Sequence, residues 1–150
     1  MPENKVALFF QVFNEVGIIE QLSRALLQAQ LPPGFLVSHF SVLNHLVRVQ
    51  DGRTPLELAR AFQTAKTTMT HTLAGLDKAG YVEMRPNIED ARSKRVWISD
   101  TGRAFREQAI VSVKPDLERV AAEFPADRVL NLLPELEELR KIMDRQRDEN

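Results

Sequence analysis

One hundred and fifty residues, 43% hydrophobic and 27% charged, suit one globular domain or two small lobes sharing a core. The chain has no cysteine, which excludes disulfides, thiolate zinc sites, nucleophilic thiols and any cysteine-based sensing of oxidants. A net charge of -1 argues against a general nucleic-acid coat protein, but residues 54–103 hold eight Lys or Arg against six Asp or Glu, a local +2 that leaves -3 elsewhere.

The first ten residues do not read as a signal peptide: Glu3 precedes the only basic residue there, and the longest apolar run is Val6 to Phe10. No segment approaches the length needed to span a bilayer, so a cytoplasmic protein without membrane contact is expected. Residues Lys5 to Gln30 are helical in pattern. Val6, Phe9, Phe10, Phe13 and Val16 share one stripe; after Gly17, Ile19, Leu22 and Leu26 fall on roughly the opposite one. The helix is therefore expected to bend at Gly17 or to be covered on two sides. Leu31-Pro32-Pro33-Gly34 stops it.

Phe35 to Val49 forms the next expected helix, with Leu36, Phe40, Leu43 and Val47 on an inner face and Val37, Val42 and Leu46 adding cover. His39 lies beside that face and His45 opposite it. No Asp or Glu on the helix accompanies them, so they read as structural residues rather than metal ligands, and no metal or cofactor is expected.

Thr54-Pro55-Leu56-Glu57 is a strong helix start: a hydroxyl at the N-cap, proline where no N–H is needed, and a carboxylate three residues on. That helix is short, because Gln63 and Thr64 interrupt its apolar edge of Leu58, Ala59 and Phe62. In the following helix Met69, Leu73, Leu76 and Gly80 share the buried face. The opposite face carries Thr67, His71, Ala74 and Lys78, with Thr68 and Thr70 at its edges. Short hydroxyls, an imidazole and an ammonium, with no carboxylate among them, suit a major groove. They also suit an ordinary solvated face.

The next segment decides between the two. Tyr81 to Arg85 and Arg95 to Ile98 are β-type runs around a polar turn, Pro86 to Lys94, and so form a hairpin. At its tip Arg92 suits a narrow minor groove, where negative potential concentrates and a guanidinium sheds water readily. Asp90 cannot approach phosphate favourably and is assigned to holding Arg92 or the turn. That Arg92, Lys94 and Arg95 merely keep an edge hairpin soluble is the weaker reading.

Beyond the hairpin, Ser99 and Asp100 open a long helix through Phe105, Ile110, Val113, Leu117, Val120 and Phe124, kinked at Pro115 and ended by Pro125. A last helix carries Val129, Leu132, Leu133, Leu136, Leu139, Ile142 and Met143, and bends or restarts at Pro134.

Leu58-Ala59, Lys66 to Thr70, Leu76 to Val82, Asp90 to Lys94 and Ile98 to Gly102 together resemble, in order and spacing, the MarR family of bacterial transcription regulators. The resemblance implies a mainly α fold with a small β-hairpin wing: a winged helix-turn-helix over residues 35–102 and a helical dimerisation region from both termini, 1–34 and 103–150. It implies a homodimer on a pseudo-palindromic operator in double-stranded DNA, usually as a repressor relieved by a small ligand or oxidant. The residues expected on DNA are Lys66, Thr67, Thr68, Thr70, His71, Lys78, Arg92 and Lys94. An apolar or aromatic effector is expected near Phe13, Phe35, His39, Phe40 and Phe105, where the terminal helices join the winged part. Three departures bear on operator sequence rather than binding mode: Ala65 where a capping Ser is usual, His71 where a longer basic residue is frequent, and Gly75 in mid-helix. The competing readings are a winged-helix module that binds protein and an enzyme. The second lacks a nucleophile with a neighbouring base, a ligand cluster or a Gly-rich phosphate loop.

Overall fold

The computed structural model describes residues 2–149 and divides into two compact units, one ending at Val113 and the other starting at Lys114. In the first, α1 (Pro2–Gln30) runs without interruption through Gly17. A Cβ at Gly17 would meet nothing, and both apolar stripes lie exposed: every side chain from Asn4 to Ala25 faces solvent within this chain. The helix stops where Pro33 and Gly34, the latter at φ +89°, turn the chain.

α2 (Val37–Arg48) starts two residues later than Phe35, because Leu36 is its N-cap and donates its N–H to His39 Nδ1 at 2.8 Å. Its buried side chains are Val37, Val42, Leu43 and Leu46, whereas Leu36 is 57% exposed. The inner face is thus rotated from the expected one. Gly52, at φ +70°, turns the chain before α3 (Pro55–Ala61), and a Cβ there would strike the Trp97 ring at 2.5 Å. The capping box closes in both directions: Glu57 N–H to Thr54 Oγ1 at 3.1 Å, Thr54 N–H to Glu57 Oε1 at 3.0 Å. The Thr54 N–H, with the Thr54 hydroxyl and the Arg53 and Arg95 charges behind it, holds the Glu57 carboxyl below its usual pKa.

α4 (Lys66–Lys78) buries Met69, Thr72, Leu73 and Leu76. Gly80 does not share that face as expected. It is exposed, at φ +78°, and ends the helix: Tyr81 N–H reaches Leu76 O at 2.9 Å and Gly80 N–H reaches Asp77 O at 3.0 Å. With its N–H committed to that cap, Tyr81 cannot open the strand. β1 is accordingly Val82–Pro86 and β2 Lys94–Ile98, antiparallel, with Val82 opposite Ile98 and Pro86 opposite Lys94. Val96 also donates to Arg53 O at 2.8 Å, so the turn before α3 adds a bridge to the hairpin's edge.

α5 (Asp100–Ser112) begins at Ser99, whose Oγ accepts the Gly102 N–H at 3.0 Å and donates to Gly80 O at 2.6 Å. One core joins these elements. Leu43, Leu46, Leu58, Leu76, Val42 and Val96 are almost wholly shielded, with Tyr81, Met84 and Phe105 packed at its margin.

The second unit holds α6 (Lys114–Glu123) and α7 (Ala126–Asp148). The single kinked helix expected across Pro115 is instead two helices separated at Val113. A proline ring clashes with the carbonyl four residues back and has no N–H, so it sits in the first turn of α6, where no donor is needed. α7, by contrast, passes through Pro134 without restarting. No described helix is long and apolar enough to cross a membrane.

Candidate nucleic-acid interface

α4 divides cleanly. Met69, Thr72, Leu73 and Leu76 point inward, while Lys66, Thr67, Thr68, Thr70, His71, Ala74 and Lys78 are all exposed. Its N-cap, Ala65, makes no side-chain bond, so the first N–H groups of α4 lack a protein side chain to receive them. Thr70 donates its hydroxyl proton to Lys66 O at 2.9 Å, which leaves the oxygen as an acceptor on the outer face. Gly75 lies against α2: a Cβ there would come within 3.0 Å of His39 Nε2, and its absence lets the imidazole lie across the helix. Burial and the neighbouring His71 together hold the His39 pKa below its ordinary value.

The wing tip is a built turn. Asn87, 8% exposed, donates to Ser93 Oγ at 3.0 Å and accepts from Glu89 N at 3.2 Å and Arg95 Nε at 3.2 Å. Asp90 accepts the Arg92 N–H at 3.0 Å, its Nε at 3.1 Å and its Nη2 at 3.4 Å. The guanidinium, then the backbone N–H, lowers the Asp90 pKa. The Arg92 side chain remains 91% exposed, and an ion pair that open is worth little in water, so the guanidinium is free to exchange Asp90 for a stronger anion.

Between α3, α4 and the wing lies a groove of about 590 Å³ lined by Thr54, Pro55, Leu56, Lys66, Thr70, Met84, Asn87, Asp90, Arg92, Ser93 and Lys94. It brings four of the expected DNA contacts together, Lys66, Thr70, Arg92 and Lys94, with Asp90 beside them. Thr67, Thr68, His71 and Lys78 lie on the exposed part of α4, outside this lining.

Three residues outside the expected DNA-contact set fix the wing. Asp51 Oδ1 accepts from Gly52 N and Ile98 N, each at 3.0 Å, and its other oxygen lies 3.5 Å from Arg103. Arg95 donates to Gly52 O at 3.0 Å, which ties it to the wing's root rather than to solvent. The Trp97 ring covers Gly52, and the Arg85 guanidinium lies 5.2 Å from its centre. The partners of the Asp51-Gly52 turn lie more than forty residues on and carry no local signal.

Of the residues expected around an effector, Phe35 and His39 do meet, at 5.5 Å between rings, and Phe35 lies 5.1 Å from Phe105. Tyr81, not expected there, completes the stack at 4.5 Å from Phe105 and 5.4 Å from Phe35. Phe40 is half-buried on α2, and Phe13 sits 41% exposed on α1 beside Phe9. His45 packs its ring 5.4 Å from Phe62. Among the described residues no group of three His, Cys, Asp or Glu is placed to hold a metal.

A sequence model of the MarR family matches residues 34–93, which hold α4 and the hairpin as far as Ser93; Lys94, Arg95 and Trp97 lie just beyond it. The HTH-type transcriptional repressor YetL of Bacillus subtilis (strain 168) is 34% identical over 76 residues, 50% of this chain. That match spans 46% of the repressor, about half its length. Wild-type MarR from E. coli in its apo form superposes with a TM-score of 0.71 at 27% identity, over 84% of this chain and 94% of that one. A mutant MarR from E. coli complexed with operator DNA gives 0.68 at 26% identity, over 87% and 94% of the two chains.

Proposed function

We propose that this chain, matched over residues 34–93 by the MarR family model and similar in fold to MarR of E. coli, is a winged helix-turn-helix transcription regulator of that family: a cytoplasmic homodimeric repressor that binds a pseudo-palindromic operator and is released by a small aromatic or apolar ligand. In this reading residues 35–102 form the DNA-binding domain, and residues 1–34 and 103–150 the dimerisation region. Thr67, Thr68, Thr70 and His71 on α4 face base edges, Lys66, Lys78 and Lys94 meet phosphates, and Arg92 enters the adjacent minor groove with Asp90 orienting it until DNA arrives.

The observation that carries the proposal is the shared groove: the exposed α4 face and the cationic wing border one concavity. A two-fold axis would set two such heads about one DNA turn, roughly 34 Å, apart. The exposed apolar stripes of α1 support a partner chain, since side chains such as Phe10, 72% exposed, gain by covering. An effector lodged by the Phe35, His39, Tyr81 and Phe105 stack would act between α2, α4 and α5 and change head spacing. The test is selection of duplexes from genomic fragments, including the region upstream of its own gene, followed by anisotropy titration at rising salt. Binding should weaken steeply with salt, by about 0.9 in log–log slope for each phosphate contact. Salt-insensitive capture of a protein, with no duplex selected, would overturn it.

A further inference from the structure

α1 is held to the rest of its unit near one end. From Asn4 to Ala25 its side chains are exposed, and Leu26, Leu27 and Gln28 are the half-buried ones. Gln28 makes two directed contacts across the Leu31 to Gly34 turn. Its Nε2 donates to Phe35 O at 2.9 Å, and its Oε1 accepts the Val37 N–H at 3.0 Å. Both ends of one amide therefore grip the backbone at the start of α2, and the Val37 N–H is one of the donors a helix start leaves unpaired. Leucines alone allow sliding; an amide bound at both ends fixes direction.

The gripped backbone leads on to the DNA-reading helix. The Phe35 ring lies 5.4 Å from the Tyr81 ring. Tyr81 closes α4 through its N–H to Leu76 O at 2.9 Å, and its carbonyl accepts the Ser99 N–H at 3.0 Å. A rotation of α1 about its anchored end is thus passed through Phe35 to the end of α4.

We propose that Gln28 is a positioning residue: its two-ended amide bond to Phe35 and Val37 fixes the angle between α1 and the winged head, and so the separation of the two recognition helices in the dimer. This rests on the homodimeric operator-binding reading above. With the clamp in place the second head is presented at the right spacing and the pair binds as one. Without it each head reads DNA as before, but effective concentration at the second half-site falls.

The test uses full-length protein and the duplex it selects, rebuilt as a panel in which the separation of the half-sites varies by single base pairs, plus one duplex carrying a single half-site. Gln28→Met keeps the length and removes both hydrogen bonds; Gln28→Glu keeps the acceptor for Val37 and sets a carboxylate against the Phe35 carbonyl. Wild type should bind one separation sharply. Gln28→Met should lose about tenfold at that separation, flatten the profile, remain dimeric and bind the single half-site within about twofold of wild type. Gln28→Glu should fall between them. An unchanged spacing profile in both variants, or an equal loss on every duplex including the single half-site, overturns the assignment of Gln28. Wild type that binds no duplex, or binds all separations alike, overturns the operator reading itself and this inference with it.

Discussion

The winged segment and α1 lie in the same unit and are built to opposite rules. Between α2 and β2 a set of apolar side chains closes on itself: Leu43, Leu58, Leu76 and Val96 have no measurable exposure. Along α1 an equally apolar run stays open, with Val6 at 71%, Phe9 at 52% and Phe10 at 72% exposed. One region completes its own core, and the other presents apolar surface for something else to complete. The winged segment should therefore fail by unfolding, and α1, under the proposed dimer, by losing the surface that covers it.

The largest effect expected is on the closed region. Leu76→Ala removes a fully shielded side chain from the inner face of α4 and should cost about 2–5 kcal/mol, read as a lower Tm at every protein concentration. Its opposite is Phe10→Asp together with Phe13→Asp. These should leave the circular-dichroism spectrum helical and shift the sedimentation profile from dimer to monomer, with selected-duplex affinity lower by about a hundredfold as avidity disappears. A dimer that survives both charges would place the interface elsewhere. A smaller effect is expected at the wing: Arg92→Ala, on a 91% exposed side chain, should weaken DNA binding about tenfold without moving Tm or oligomeric state. A gel shift at moderate salt with no change removes Arg92 from the interface.

The smallest effect is a pH dependence of the closed region. Burial holds His39 and His45 below their ordinary value of 6.5, with His71 adding to it at His39 and Arg53 and Arg48 at His45. The folded chain thus favours the neutral rings. Their contribution is present above 6.5 and is lost as pH falls through the lower folded values, since the unfolded chain takes up protons first. Protonation also fills His39 Nδ1, the acceptor of the Leu36 N–H. Tm should drop between about pH 7 and pH 5, and His39→Asn with His45→Asn should flatten that slope. An equal slope in the double variant would assign the loss to other groups.

Features set by near neighbours in the chain were the legible ones. The Thr54 to Glu57 box, the stop at Leu31 to Gly34, the hairpin and the outward face of α4 all follow from residues within a few positions of each other. Local signals failed where two uses competed for one residue. Tyr81 has strand character, but its N–H is taken by the α4 cap, and Gly80 fits the buried period yet serves as the left-handed terminator. Pro115 and Pro134 look alike in sequence; one opens a helix and the other lies within one. Contacts between distant positions were invisible. Nothing near Gly75 announces His39, and nothing near Asp51 announces the Ile98 N–H, 47 residues away. The candidate site was legible as a set of exposed polar residues, whereas the groove that gathers four of them needed the packing of α3 against the wing.

Stoichiometry on DNA tests the central claim most directly. Sedimentation of the full chain with its selected duplex at low salt should give one complex of two chains per duplex that dissociates as salt rises. A single chain per duplex, or no complex with any duplex, would contradict the account.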